Sequence, residues 1–301
     1  MILCAGEALI DMLPEGDAFR PHAGGAVFNT AIALGRLGGA SGFLSQVSTD
    51  MFGEQLMAAL ETSRVDATLC PRSSQPTTLA FVKLTGGQAE YLFYDENSAG
   101  RSLTVDALPE LSDAVEAVHL GAISLIPEPC GSAFEALCLR EAEQRTISLD
   151  PNVRANFIPD ADAHRARLRR MMEAAHILKV SDEDMAWIEP EMNEAAFVEA
   201  QLSSGTHLVV VTRGAEGASG FTRRGRTDVA ATRVKVADTV GAGDTFDAGL
   251  LHALREAGRL SRDALPDLSD EEVAKALRFA AACAAITVSR PGADPPWSHE
   301  L

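Results

Sequence analysis

The sequence has few basic residues for its length. Its 301 residues include 26 Lys and Arg against 43 Asp and Glu, a formal net charge of −17. Proteins that bind nucleic acids or anionic membranes hold phosphates with clustered Lys and Arg. The short basic runs, at 167–170 and 223–226, are more typical of solvated helix or hairpin faces. We therefore expect no nucleic-acid partner and no membrane partner.

Paired cysteines and long apolar runs are also missing. The five scattered cysteines contain no C-x-x-C pair, and an odd number does not complete a disulfide framework. This usage is typical of a reducing compartment, so we expect a cytoplasmic protein. The first residues lack the basic segment of a signal peptide. The longest apolar run, 279–288, is about half the length needed to span a bilayer, and it predicts a buried helix.

Several nucleotide and metal signatures are absent. The sequence contains no G-x-x-x-x-G-K-[ST], no G-x-G-x-x-G after a strand, and no protein-kinase H-R-D or D-F-G set. Its seven histidines show no metal-ligand spacing such as H-x-x-x-H. We therefore expect neither a P-loop nor a Rossmann dinucleotide site, and no transition-metal site.

Apolar runs of strand length alternate with segments of helical period. This alternation predicts an α/β fold with a mostly parallel central sheet and helices on both faces. The predicted strands are 2–10, 42–47, 117–120, 146–149, 176–180 and 207–212. The predicted helices are 26–37, 53–63, 129–143, 161–174, 182–188, 193–203, 244–257 and 270–289.

Two segments break this pattern. Residues 12–22 and 77–101 contain alternating or aromatic strand-like sequence, and Gly86-Gly87 is a hairpin turn signal. They predict a small β-lid that would cover a site and exclude water, with an ordinary edge hairpin as the alternative. The remaining residues then form the α/β core, which comprises 1–11, 23–76 and 102–301.

The segment from Asp238 to Leu251 is the most informative part of the chain, because a glycine-rich turn opens directly into an amphipathic helix. The N–H groups of Gly241–Gly243 would point at an anion, aided by the helix dipole; we call this backbone the anion cradle. Asp244 follows the cradle, where a carboxylate would repel a phosphate. We expect it to be the general base for an attacking hydroxyl, with a first-turn helix cap as the alternative.

Other polar residues follow predicted strands near the same sheet edge. Asp11 ends the first predicted strand, and Gly24-Gly25 precedes a helix that carries Asn29. Carboxylate and amide oxygens accept hydrogen bonds from the hydroxyls of a polyol. Arg154, in the segment Asp150–Arg154 that follows the predicted strand 146–149, could pair with a transferring phosphoryl group. Taken singly, each of these residues is more often a cap or a turn residue.

Together, these segments resemble the paired signatures of the ribokinase-like (PfkB) carbohydrate kinases, most closely the bacterial fructokinases. The Gly24-Gly25 segment with Asn29 and the Asp238–Leu251 segment occur in the family's order and at a similar separation, and the second motif is highly specific. The similarity extends over essentially the whole chain. The resemblance implies the ribokinase-like fold, ATP-dependent phosphorylation of a sugar, a Mg²⁺ ion and a monovalent cation such as K⁺.

The resemblance also implies roles for individual residues. Asp244 would be the base, and Gly241, Ala242, Gly243 and Arg154 would stabilise the transferred phosphoryl group. The residues on the sugar side would be Asp11, Gly24, Gly25, Asn29 and Arg101. Those on the nucleotide side would be Lys179, Ser181, Thr212, Arg213, Gly214, Gly217, Ala280 and Cys283. Asp238 and Gly292 would belong to a monovalent-cation loop.

One motif departs from the family. The N-x-x-E motif, which organises Mg²⁺ through water, appears here as Ser181-Asp-Glu-Asp184, so Ser replaces Asn and Asp replaces Glu. Glu183 lies alongside. The acidic character is kept and Mg²⁺ accepts water-mediated contacts, so we expect a Mg²⁺ site at Asp184 and Glu183 despite the shorter side chains.

These features predict a fructokinase that phosphorylates a primary hydroxyl. A 2-keto-3-deoxygluconate kinase is the first alternative, because that group shares Asp-Pro-Asn-x-Arg, and a ribose or nucleoside kinase is the second. A non-catalytic sugar or nucleotide sensor is a third, although a sensor has no need of Asp244. The neutral and acidic sugar-side residues favour a neutral polyol over a carboxylated sugar. The expected partners are a sugar, ATP and a second copy bound through the lid.

Overall fold

A nine-stranded sheet forms the centre of the computed structural model, which describes residues 1–85 and 88–301. The strands are β1 (Ile2–Ala5), β2 (Leu9–Glu15), β3 (Ala18–Gly24), β4 (Ser41–Leu44), β5 (Val47–Ser48), β6 (Val65–Asp66), β7 (Arg72–Ser73), β8 (Leu79–Thr85), β9 (Gln88–Tyr94), β10 (Ala117–Gly121), β11 (Thr146–Asp150), β12 (Ile177–Ser181), β13 (Leu208–Thr212), β14 (Ala218–Thr222) and β15 (Gly225–Val229). The helices are α1 (Ala26–Arg36), α2 (Met51–Thr62), α3 (Cys130–Glu141), α4 (Ala161–Ala174), α5 (Asp182–Ile188), α6 (Glu194–Ser204), α7 (Ala242–Glu256) and α8 (Asp270–Val288).

The central sheet has the order β15-β14-β13-β12-β11-β10-β1-β4-β6. Its strands from β13 to β6 are parallel, and β14 and β15 add an antiparallel hairpin at one edge. Apolar side chains cover both faces, as a parallel sheet requires. One cluster includes Phe28 of α1 and Leu277 of α8, and the other includes Phe134 of α3 and Phe197 of α6. The predicted α/β class is confirmed.

A second sheet, which we call the lid sheet, has the order β3-β2-β8-β9. Strands β2 and β8 are parallel, whereas β2–β3 and β8–β9 are antiparallel pairs. Its strands take residues from 9–24 and 79–94, and the predicted division into core and lid stays a prediction. The predicted turn at Gly86-Gly87 lies outside the described residues.

The first predicted strand is wrong in its length. The sequence predicts one strand over 2–10, but β1 ends at Ala5 and β2 begins at Leu9 in the lid sheet. Between them, Glu7 turns towards the interior, and its carboxylate accepts hydrogen bonds from Ala26 N at 2.7 Å and Ser124 N at 3.2 Å. Asp11 therefore belongs to the lid sheet and does not end a strand of the central sheet.

The predicted helices agree more closely with the structure. All eight are found, with each end within two residues of its predicted position, and the apolar run 279–288 lies in α8. In the part of the chain that is described, no helix combines the length and apolarity needed to cross a membrane. The β14–β15 hairpin was not predicted as a pair of strands, although the basic run 223–226 was expected on a helix or hairpin face.

Candidate active site

A cavity of about 390 Å³ lies between the lid sheet, the carboxyl ends of β10 and β11, and the first turn of α7. We call it the site cavity. Asp11, Asn29 and Arg154 line it together with the anion cradle and Asp244. These residues come from distant parts of the chain, and they meet at the sheet edge where open α/β folds bind ligands.

The anion cradle forms at the start of α7. Gly241 is the N-cap residue, with a left-handed φ of 76°, and a Cβ there would approach Ala293 Cβ to 2.6 Å, so a side chain would be strained and crowded. Among residues 1–85 and 88–301, the N–H groups of Gly241 and Gly243 have no hydrogen-bond partner, whereas that of Ala242 donates to Thr239 O at 3.3 Å. Two of the three predicted donors are thus available to an anion.

Asp244 lies one step behind this cradle and is only 7% exposed. Its Oδ2 accepts a hydrogen bond from Asn29 Nδ2 at 2.9 Å, and its backbone carbonyl accepts one from Thr30 Oγ1 at 3.2 Å. Burial raises the pKa of Asp244 to about 6, although the bond from Asn29 opposes the shift. Asp244 also stands in the first turn of α7, so the capping alternative stays a prediction beside that of the general base.

Asp11 faces Asp244 across the site cavity. Burial, followed by the charge of Asp244, raises the pKa of Asp11 to about 6. Gly24 lies against this carboxylate, since a Cβ at Gly24 would come within 2.4 Å of Asp11 Oδ2. Gly25 is the N-cap of α1 and lines the cavity. The structure therefore brings the predicted sugar-side residues together, with Arg101 as the exception.

Arg101 lines a neighbouring cavity of about 270 Å³ instead. Phe93 and Phe157 line both cavities, with ring centroids 4.5 Å apart in an edge-to-face contact. Arg101 Nη1 donates to both carboxylate oxygens of Asp95 at 3.1 Å, so its charge is already paired. The prediction that Arg101 contacts the sugar is not supported.

The predicted nucleotide loop lies at the same sheet edge, further along. Ser181 and Thr212 are register partners at the ends of β12 and β13. Arg213 forms an ion pair with Glu194 and donates to Ser219 Oγ at 2.9 Å. Its backbone N–H donates to Gly217 O at 2.8 Å, which closes the short turn that contains Gly214. Hydrogen bonds within the loop therefore fix its shape next to Ser181.

Two predicted adenine contacts lack the surface for that role. Ala280 and Cys283 are both 0% exposed, and they face α7, where a Cβ at Gly249 would lie 2.8 Å from Ala280 Cα and 3.3 Å from Cys283 Sγ. They form the close contact between α7 and α8. The structure does not support a direct adenine contact by either side chain, because both lie on the face of α8 that packs against α7.

The predicted Mg²⁺ residues differ in their surroundings. Both carboxylate oxygens of Asp184 accept backbone hydrogen bonds, Oδ1 from Val153 N at 2.8 Å and Oδ2 from Ser181 N at 3.2 Å. Ser181 and Asp184 form a capping box at the start of α5, and Glu183 is exposed next to them. No cluster of three or more His, Cys, Asp or Glu side chains suited to a metal occurs in the described residues. This donor set fits an ion held mainly by nucleotide phosphates and water.

The two predicted cation-loop segments are in contact. Asp238 Oδ2 accepts a hydrogen bond from Gly292 N at 2.9 Å, and its Oδ1 accepts one from Val240 N at 3.1 Å. Asp238 therefore ties the turn before the anion cradle to the loop after α8. The role of this contact in cation binding stays a prediction.

Lys179 is placed differently from its prediction. Its side chain is 6% exposed and its Nζ donates to Asp150 Oδ2 at 2.8 Å, so it lies below the surface and not on the nucleotide loop. Sequence reasoning also missed Glu7, which lines the site cavity, and Asp247, one turn after Asp244. A charged residue within or directly after an apolar strand was the available signal for Lys179 and Glu7.

Comparisons with known proteins identify the family of this chain. The family model described as pfkB family carbohydrate kinase matches residues 1–300. A fructokinase of Rhizobium leguminosarum bv. trifolii is 51% identical over 90% of this chain and 85% of its own length. A crystal structure of a Xylella fastidiosa fructokinase with bound ATP is 33% identical with a TM-score of 0.89, covering 97% of this chain and 93% of that one. A Vibrio cholerae fructokinase double mutant bound to fructose, ADP and potassium is 27% identical with a TM-score of 0.85, covering 97% and 93%. The chain therefore belongs to the pfkB family of carbohydrate kinases.

Proposed function

We propose that this protein is an ATP-dependent fructokinase that phosphorylates a primary hydroxyl of fructose. The observation that carries the proposal is the position of Asp244, a buried carboxylate directly behind an anion cradle and facing Asp11 across one cavity. The relatives compared above are named as fructokinases, and one of them was crystallised with fructose. A sugar kinase requires a general base next to a phosphate-binding site, and this cavity contains both groups.

The reaction follows from these positions. Asp244 accepts the proton of the sugar hydroxyl while that oxygen forms a bond to the γ-phosphorus of ATP. The bond from the γ-phosphorus to the bridging oxygen breaks, and ADP leaves with the electron pair. The N–H groups of Gly241 and Gly243 donate to the oxygens of the phosphoryl group, where negative charge develops. Arg154 lines the same cavity, and its guanidinium would pair with the transferred phosphoryl group.

ATP is the phosphoryl donor in this proposal, with Mg²⁺ as the required metal and K⁺ at the Asp238–Gly292 contact. When bound, Mg²⁺ neutralises charge on the β- and γ-phosphates. Glu183 and Asp184 would hold it through water, and the exposed Glu183 is the freer of the two carboxylates. Thr212 and Arg213 to Gly217 would line the phosphates and ribose of the nucleotide.

The surroundings of the site cavity favour a neutral sugar. A carboxylated substrate needs a cation or loses its hydration in a closed site. Arg101 is paired with Asp95 outside the site cavity, and the acidic pair Asp11 and Asp244 would repel a second carboxylate. Arg154 is the remaining candidate clamp, and it donates to the carbonyls of Asn152 and Val153 at 3.4 and 3.1 Å. We therefore place fructose above 2-keto-3-deoxygluconate.

A competition assay tests this choice. The purified protein is incubated with ATP, Mg²⁺ and equal concentrations of fructose and 2-keto-3-deoxygluconate, and the phosphorylated products are quantified by mass spectrometry. We expect fructose phosphate to dominate. Preferential phosphorylation of the acid would move the protein to that alternative and make Arg154 its carboxylate clamp. Turnover of ribose or a nucleoside alone in a wider panel, or of nothing, would support the other two alternatives.

The same proposal includes the assembly and location of the protein. We place it in the cytoplasm, consistent with its five free, buried cysteines. We also place the lid sheet between two copies of the chain in a homodimer, because its outer face exposes Phe19, Leu92 and Tyr94. The core then comprises residues 1–11, 23–76 and 102–301, with the lid at 12–22 and 77–101.

A further inference from the structure

A buried group of charged side chains lies behind the anion cradle. Lys179 Nζ is 2.8 Å from Asp150 Oδ2 and 3.7 Å from Asp247 Oδ2, and the three side chains are 6%, 5% and 3% exposed. We call these residues the Lys179 cluster. Removing each ion from water costs several kcal/mol, so a buried group of this kind is weak evidence for stability. The position of the Lys179 cluster beside the anion cradle indicates a role in the site.

The Lys179 cluster meets α7 at two points, at the first turn and one turn further along the helix. A Cβ at Gly243 would lie 3.3 Å from Lys179 Nζ, so the ammonium packs against the backbone of the cradle where only glycine leaves it full room. Asp247 stands on α7 one turn after Asp244. Lys179 therefore lies against the turn that carries both the cradle and the base, and its contact with Asp247 ties it to the next turn of α7.

The sign of the charge at this point is unusual. A helix N-terminus carries partial positive charge, so a cation beside it is normally unfavourable. Asp150 and Asp247 offset that cost. Burial lowers the pKa of Lys179, but the charges of these two carboxylates outweigh it and raise the pKa. Burial raises the pKa of Asp247, whereas the pKa of Asp150 is lowered, because its interactions with Lys179 and Asp247 outweigh the effect of burial. The positive member of the cluster is the one that lies nearest the cradle.

We propose that Lys179 is a positioning residue for phosphoryl transfer: its ammonium, held by Asp150 and Asp247, fixes the first turn of α7 and adds positive charge behind the anion cradle. The proposal rests on the kinase function argued above. Lys179 lies outside the site cavity, so it acts through the backbone of Gly243 and through Asp244 without touching the sugar.

The Lys179 cluster also affects the proton affinity of Asp244. The charge of Lys179 lowers the pKa of Asp244, and the charge of Asp150 raises it by a smaller amount. Other groups face Asp244 from every packed element and stay in place when the cluster is changed. They are Glu7 before β2, Asp11 on β2, Asn29 on α1 and Arg154 after β11. Removing Lys179 and Asp150 together therefore moves the Asp244 pKa upwards.

The test removes the cluster's charges in balance. The double variant Lys179→Met/Asp150→Asn keeps the net charge, removes both partners of the 2.8 Å ion pair, and retains an amide oxygen that accepts the hydrogen bond from Asn152 N–H. We expect kcat for fructose to fall at least about 10-fold, which is about 1.4 kcal/mol of transition-state stabilisation. The KM values for fructose and ATP should change less than about threefold, and the acid limb of kcat/KM should move to higher pH.

One control variant and one replacement variant complete the test. Lys275→Met makes the same change at an exposed lysine of α8, and should leave kcat and the pH profile unchanged. If the double variant does not fold, Lys179→Met/Asp150→Asn/Asp247→Leu replaces the whole cluster with uncharged groups of similar size, which is often neutral for stability. A folded variant of either kind with wild-type kcat and pH profile would overturn the proposal.

The experiment separates this proposal from the function on which it rests. The wild type is first assayed with the panel of sugars, and the variants are then compared on whichever sugar it phosphorylates. A wild type that prefers another sugar contradicts the fructokinase proposal but leaves the Lys179 comparison intact. A loss confined to melting temperature, with kcat per folded molecule unchanged, contradicts only the positioning role.

Discussion

At the scale of single residues, Asp244 is the position on which the proposed chemistry depends most. The variant Asp244→Asn keeps the size of the side chain and an oxygen for the hydrogen bond from Asn29. An amide cannot accept the proton of the sugar hydroxyl, so we expect kcat to fall by at least about 10²-fold. The KM for ATP should stay near that of the wild type. Steady-state kinetics and a melting curve measure both effects.

A matched control separates this effect from helix capping. Asp270→Asn makes the same change in the first turn of α8, at an exposed carboxylate far along the chain from the site. It should cost a fraction of a kcal/mol in stability through the helix dipole and leave kcat unchanged. Near-normal kcat in a folded Asp244→Asn protein would remove the assignment of Asp244 as the base.

The raised pKa of Asp244 predicts a pH dependence of activity. Its pKa lies at about 6, above the ordinary 3.8, so the carboxylate that accepts the proton is lost as the pH falls through 6. We expect kcat/KM for fructose to rise towards a plateau above pH 7. Asp11 and Asp244 repel each other, so Asp11→Asn should move this acid limb to lower pH. An acid limb that stays in place in a folded Asp11→Asn protein would contradict the coupling.

Single residues also mark the limit of sequence reasoning about the site. Asp11, Asn29 and Asp244 were predictable because each follows a strong local signal, a strand end or a glycine turn that opens a helix. All three line the site cavity. Lys179 and Arg101 were misplaced, because charge and sequence position do not show whether a carboxylate already pairs with the side chain.

At the scale of elements, the start of α1 depends on Glu7. Its carboxylate accepts hydrogen bonds from Ala26 N at 2.7 Å and Ser124 N at 3.2 Å, and so ties the helix to the segment after β10. In Glu7→Gln one of these N–H groups would face an amide NH₂. We expect a loss of about 1–3 kcal/mol in the free energy of unfolding, measured in urea.

The same variant should affect one ligand more than the other. Gly25 and Asn29 flank the first turn of α1, so the KM for fructose should rise while the affinity for ATP changes little. Glu61→Gln, at an exposed position near the end of α2, is the control and should change neither. Equal losses of sugar and ATP binding would mean that Glu7 supports the fold as a whole and not the sugar side.

Elements differ in how well their sequences predict them. The helices carry a clear helical period, and most begin at a capping side chain such as Asp50, Asp160 or Ser269. The break between β1 and β2 was missed because Glu7, which lies in it, accepts a hydrogen bond from the distant Ser124 N–H, and the local sequence does not show that contact. The β14–β15 hairpin was missed because its short strands are rich in Gly, Ser, Thr and Arg.

At the scale of the whole molecule, the lid sheet couples the site to the surface. Side chains alternate along β9, so Phe93 lines the site cavity while Leu92 and Tyr94, each 58% exposed, face away from it. On the outer face Phe81 packs edge to face against Phe19 at 5.0 Å and against Tyr94 at 5.5 Å. A partner that covers this face would therefore fix the position of Phe93 over the sugar.

The last prediction concerns the proposed homodimer. Two copies with a net charge of −17 each repel one another, so association needs an apolar surface and is strengthened by salt. We expect the wild type to show about twice the chain mass of 31.9 kDa by light scattering, and Phe19→Ser/Leu92→Ser to show a single chain with a higher KM for fructose. Val105→Ser/Leu139→Ser removes two exposed apolar side chains outside the lid sheet and should stay dimeric. A monomeric wild type at 0.3 M salt would contradict the proposed homodimer, and a dimer that survives in Phe19→Ser/Leu92→Ser would place the interface elsewhere. In either case the lid sheet alone would position Phe93.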